Sequence, residues 1–132
     1  MIALPLRLPP GADLRGELEA ELTRRQVRAA FVVAGIGSLT EARLRLAGRE
    51  TPDRLIGDLE ILTLSGSLSV DGAHLHMSVS DARGSVTGGH ACAGCTIRTT
   101  AEVLLLLLPE HVLTREFDAA TGYAELSIRR SD

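Results

Sequence analysis

The sequence predicts an α+β (mixed α/β) fold in which one main amphipathic helix covers a sheet. Three observations carry that expectation. One helical period of apolar residues follows Asp13, several stretches alternate or run apolar at strand length, and a hairpin signal joins two of those stretches. The 132 residues read as one domain, 1–132, long enough to enclose a core.

Ile2 to Leu8 is a short first strand, closed by Pro9-Pro10-Gly11. Asp13 is placed to cap the helix, because its carboxylate can accept from backbone N–H groups of the first turn. Leu14, Leu18, Leu22 and Val27 line one helical face. Glu17 and Glu21 lie early and Arg24, Arg25 and Arg28 late, the order that the helix dipole favours. Ala29 to Gly35 is an apolar run expected to be a buried strand, and Gly35-Ile36-Gly37-Ser38-Leu39 a tight crossover. That glycine stretch lacks the Lys-Ser/Thr ending of a phosphate loop and the third glycine of a dinucleotide loop. Thr40 to Leu46 alternates as a half-exposed strand, and Ala47 to Gly57 reads as a loop around Pro52. Leu59 to Val70 reads as a strand or strand pair with a bulge or bend at Gly66.

Strict alternation from His74 to Ser80 puts His74, His76, Ser78 and Ser80 on one face and Leu75, Met77 and Val79 on the other. Asp81-Ala82-Arg83-Gly84 is a turn signal. If Ala82, Arg83 and Gly84 form the loop, with Gly84 left-handed, Asp81 faces Ser85 and His76 faces His90. A two-residue loop puts His90 beside Leu75, on the wrong face. The three-residue loop is the expectation. Ala91 to Thr100 can continue as a strand, and Ala101 to Leu108 fits a helix or a strand. As a strand, Leu104 to Leu108 is apolar on both faces, one for the core and one for a partner subunit. Thr114 to Phe117 and Gly122 to Ile128 supply late strand material. His111, beside Pro109 and Glu110, reads as a surface histidine in a turn.

Composition narrows the function classes. Only Phe31, Phe117 and Tyr123 are aromatic, so the core is aliphatic. The net charge is -3, from 17 acids and 14 basic residues that are all arginine, with no basic block. That balance speaks against a nucleic-acid surface. Arg43 with Arg45, and Arg129 with Arg130, are short pairs without aromatic stacking platforms, read as a solvated face. The apolar run at Val103 to Pro109 is far below a membrane span, and prolines interrupt any signal-peptide pattern at Met1 to Leu8. Cys92 and Cys95 read as small core or interface cysteines, because the redox alternative wants its first cysteine at a helix start. A cytoplasmic location is expected.

Several segments, in order, resemble the PPC (plant and prokaryote conserved) domain of the stand-alone prokaryotic type. They are Gly35-Ile36-Gly37-Ser38-Leu39, Leu59-Glu60-Ile61-Leu62-Thr63-Leu64-Ser65-Gly66, His74-Leu75-His76-Met77-Ser78-Val79 and Gly88-Gly89-His90. Gly94-Cys95, Thr99-Thr100-Ala101-Glu102-Val103 and Thr121-Gly122-Tyr123 complete the match. The resemblance implies a mostly antiparallel twisted sheet with a covering helix, assembled as a homotrimer. It also implies a bound metal, zinc, on His74, His76 and His90. Plant members are fused to AT-hook motifs that bind A/T-rich DNA; the Arg-Gly-Arg-Pro core of that motif does not occur here.

The residues support a divalent metal on their own terms. Neutral imidazoles suit zinc, and three protein ligands leave a fourth place for water, a carboxylate or a small-molecule ligand. His-x-His on a strand projects both rings to one side. Glu60, Asp81 and Glu102 are candidates for a general base, but no spacing forces any of them into the site. The expected function is a small trimeric metal-binding domain with a ligand-binding or structural/regulatory role. Two other classes stand beside it. One is a metal-dependent hydrolase or related small-molecule enzyme; the other is a DNA-associated regulator without an AT-hook.

Overall fold

A computed structural model describes residues 1–132. The chain runs through β1 (Ile2–Leu8), α1 (Leu14–Arg25), β2 (Ala29–Arg45), β3 (Asp53–Ser69), β4 (Gly72–Ser80) and β5 (Val86–Ala91). It continues through β6 (Thr96–Leu107), β7 (His111–Asp118) and β8 (Tyr123–Arg130). The fold is α+β, a large antiparallel twisted sheet with one main helix. Six strands lie in the order β1-β6-β2-β3-β4-β5, and β5 pairs back onto β2. β2, β3, β4 and β5 thereby close into a ring. β7 and β8 form a separate hairpin.

Asp13 caps α1 as its side chain requires. Its Oδ2 accepts from the Gly16 N–H at 2.8 Å, while its Oδ1 accepts from the Gly94 N–H at 2.6 Å. One carboxylate therefore starts the helix and ties it to the turn before β6. Leu14, Leu18 and Leu22 are buried. The helix ends at Gln26, whose left-handed backbone (φ 55°) lets its N–H reach the carbonyls of Leu22 and Thr23. Val27 consequently lies beyond the helix, although it still packs against the core. That core is a cluster of 24 buried residues without one aromatic ring. Burying each leucine contributes roughly 1.5–3 kcal/mol.

Several expected boundaries are corrected. Gly35 to Leu39 is no crossover: β2 runs through it as one strand with register shifts on β6. A side-chain carbon on Gly37 would lie 2.5 Å from the Thr100 carbonyl oxygen, so glycine lets the strands approach rather than turn. The loop expected to Gly57 is shorter, because β3 starts at Asp53 and pairs with the extended end of β2. β3 is a single strand, and its register shift against β4 falls between Ile61 and Thr63, not at Gly66. Ala91 to Thr100 is interrupted: Cys92 to Cys95 makes a turn between β5 and β6. The leucine run is a strand, held between β1 and β2. Leu105 and Leu107 enter the core, whereas Leu104, with Phe31, Val33 and Ile36 of β2, stays exposed.

β7 and β8 dock through Leu113, which is buried and exchanges backbone bonds with Val70 and Arg28. The Arg115 N–H donates to Asp71 Oδ2 at 2.8 Å, fixing the hairpin beside the start of β4.

Candidate metal centre

The loop between β4 and β5 has three residues. Asp81 N–H donates to the Ser85 carbonyl at 3.0 Å, and Gly84 N–H donates to the Asp81 carbonyl at 3.0 Å. Gly84 takes φ 81°, a conformation that side chains disfavour. Register follows from that loop: Ser80 faces Val86, and four pairs on, His76 faces His90. His74 stands two residues before His76 on the same face, opposite Ser67 of β3. The rings of His74 and His76 lie 5.0 Å apart, those of His74 and His90 5.2 Å, and those of His76 and His90 6.0 Å. One nitrogen from each comes within 4.8 Å of the others.

Gly66 makes this arrangement possible from behind. It sits opposite Leu75 with φ 151°, and any side-chain carbon there would collide with the His74 carbonyl oxygen. β3 can thus lie against the backbone that carries His74 and His76.

The surroundings keep His74 and His90 neutral at physiological pH. Burial pushes His90 down to about 4, assisted by the charges of Arg45, His74, Arg15 and His76. Burial also lowers His74, with Arg115 as the next cause. A neutral imidazole offers the lone pair that a metal needs. Three imidazole rings facing one another, with no carboxylate among them, fit a divalent metal ion.

The cluster lies at the junction of two cavities. One of about 420 Å³ is lined by the three histidines with Thr63, Ser65 and Met77 among others. A second, of about 610 Å³, shares His74, His90 and Arg45 with the first and adds Arg115 and Glu125.

The other candidates fall elsewhere. Glu60 is exposed on β3, opposite Ser80, and Glu102 faces outward on β6. Asp81 uses its carboxylate to hold the turn, accepting from the N–H groups of Arg83 and Ser85. None of the three lines either cavity. Cys95 is buried, its thiol pushed up to about 11 by burial, and both cysteines are free. Arg43 pairs with Glu41 at 3.1 Å. His111 is half-buried at the start of β7, rather than a surface residue in a turn. The residues missed in the sequence are Arg15, Arg115 and Glu125. Only the strand alternation of late segments hinted at the last two, and nothing local says which sheet they meet.

The sequence profile of the Plants and Prokaryotes Conserved (PCC) domain matches residues 1–109. The chain belongs to that family. Two curated relatives, each a bifunctional protein GlmU from a Synechococcus strain (JA-2-3B'a(2-13) and JA-3-3Ab), are 52% and 50% identical to it. The alignments take in 95% and 96% of this chain and 20% of each relative, so the chain spans about a fifth of their length. Among solved structures, a hypothetical protein from Salmonella enterica matches with a TM-score of 0.94 at 41% identity, covering 98% of this chain and 94% of its own. A metal-containing protein from Archaeoglobus fulgidus matches with a TM-score of 0.81 at 28% identity, covering 95% and 92%. No helix of this PCC-domain chain is long and apolar enough to cross a membrane.

Proposed function

We propose that this PCC-family protein holds one divalent metal ion, zinc, on His74, His76 and His90 and uses it to bind a small molecule. The observation that carries the reading is the convergence of three imidazole nitrogens within 4.8 Å, on a face open to a cavity. The metal-containing relative from Archaeoglobus supports it. When bound, the ion would supply a Lewis-acid centre with a position left for an outside donor. The protein's own part is to keep His74 and His90 neutral by burial and to fix the register of the three rings through the β4–β5 hairpin.

The working form in this reading is a cytoplasmic homotrimer. An apolar face of β2 and β6, with Phe31, Val33, Ile36 and Leu104 open to solvent, gives subunits a surface to share. The free cysteines suit a reducing compartment.

A hydrolytic role is the second reading, and Glu125 favours it. Glu125 lines the larger cavity together with His74 and His90, which makes it the candidate general base in this reading.

Elemental analysis and zinc titration of the purified chain test the main reading. About one zinc per chain is expected, lost in His74→Ala, His76→Ala and His90→Ala variants. A folded wild-type chain that takes up no zinc overturns it. Metal-dependent ester or phosphoester cleavage abolished by Glu125→Gln would move the assignment to the hydrolase.

A further inference from the structure

Holding a metal does not account for the arginines that surround the histidines. The cavity of about 610 Å³ is walled by Arg15, Arg45, Arg49 and Arg115 together with His74 and His90. Glu50 and Glu125 are its only acids. In a chain of net charge -3, four arginines at one concavity reverse the local sign.

Their partners decide which of them are available. Arg15 is already paired with Glu19 at 2.7 Å. Arg115 instead donates from Nη2 to the Ser67 hydroxyl at 2.9 Å, and Arg45 donates from Nη1 to the Arg49 carbonyl at 3.4 Å. Those contacts steady the two guanidinium groups without neutralising them. They also come from separate parts of the fold. Arg45 ends β2 as the direct partner of His90, while Arg115 stands on β7, held by its backbone bond to Asp71.

We propose that this cavity binds a small organic anion, with its carboxylate or phosphate group on Arg45 and Arg115 and a second donor directed to the histidine cluster. The planar fork of a guanidinium pairs two N–H groups with two oxygens of such an anion, which suits both chemistries. The volume falls within the range of small-molecule sites, roughly 300–1,000 Å³. The second contact rests on the metal reading above; the arginine contact does not.

Isothermal titration with inorganic phosphate and with malonate tests the proposal, on zinc-loaded and on metal-free protein. Zinc-loaded protein is expected to bind at least one probe. Arg45→Gln and Arg115→Gln should each weaken that binding roughly tenfold or more, with zinc stoichiometry unchanged. Arg83→Gln, at the distant tip of the β4–β5 loop, should leave it unaltered. Tighter malonate assigns a carboxylate ligand, and tighter phosphate a phosphorylated one. Circular dichroism checks each variant's fold, and if Arg115→Gln loosens the hairpin, Arg45→Gln on β2 carries the test alone. Zinc uptake without binding of either probe, or binding that neither glutamine variant weakens, overturns the anion site and leaves the metal site standing. A chain that takes up no zinc overturns the metal reading instead. The metal-free titration then decides: binding weakened by the glutamine variants supports the arginine contact, and no binding overturns it.

Discussion

Arg45 and His90 are direct partners across β2 and β5, and His90 is at the same time the partner of His76 across β4 and β5. Paired residues in a ladder share a face, so a permanent positive charge stands beside an imidazole. That charge adds to burial in holding His90 neutral.

The consequence for the metal-free chain has a definite sign. The unfolded state takes up a proton on His90 near pH 6.5, but the folded state only near 4. The stability contributed by the neutral ring is present above 6.5 and is lost as the pH falls towards 4. His74, lowered by burial and then by Arg115, acts in the same direction. The urea midpoint of metal-free protein should therefore fall over that window. Arg45→Gln should raise the His90 titration midpoint measured by NMR. A flat urea midpoint, or an unmoved His90, contradicts the account.

Two glycines of the site region should respond very differently to alanine. At Gly84 the new methyl group meets nothing within 4 Å, so only the left-handed backbone is penalised, by about 1 kcal/mol. At Gly66 the methyl group meets the His74 carbonyl, and β4 must move away. We expect Gly66→Ala to cost about 2 kcal/mol or more in chemical denaturation and to weaken zinc uptake as well. Equal losses at both positions would contradict the packing described for β3 against β4.

The cysteines offer a contrast in reactivity. Burial keeps the Cys95 thiol protonated up to about pH 11, while Cys92 is half-buried. Thiol alkylation at pH 8, read by mass spectrometry, should label Cys92 in the native protein and Cys95 only after unfolding. Native labelling of Cys95 at a comparable rate would place it outside the core.

β6 and its neighbour β2 should separate folding from assembly. Leu105 is fully buried, and Leu105→Ala is expected to cost 2–5 kcal/mol of stability, as such truncations commonly do. Ile36, across the sheet on the open face, is 55% exposed. If the homotrimer proposed above is right, Ile36→Glu should leave the melting temperature of the subunit nearly unchanged while reducing the mass seen by light scattering from trimer to monomer. A trimer that survives this substitution would move the interface elsewhere.

The histidine register was legible because it depends on a count of loop residues. Gly84 marks the left-handed position, and every later pairing follows from it. The helix was legible from Asp13 and the leucine spacing, for equally local reasons. The errors share a different origin. Gly35 and Gly37 read as a tight crossover, yet the second of them serves the close approach of Thr100, far away in sequence. Ala101 to Leu107 could not be told from a helix until β1 and β2 were seen on either side of it. Arg115 and Glu125 carry no local mark at all. They join the site because Leu113 and Asp71 bring a late hairpin to the start of β4.

The ring formed when β5 returns to β2 also bears on how the protein is made. His74, His76 and His90 belong to one hairpin, whose ends meet after a short loop closes. Arg45 reaches His90 only after the intervening β3 and β4 have been laid down. Contacts of that longer separation form slowly in a folding chain. On the metal reading, an ion can therefore grip the hairpin before the ring is sealed. Zinc added to refolding protein should raise the refolding rate as well as the final stability, so the same ion would act first as a folding nucleus and afterwards as the centre of the finished site.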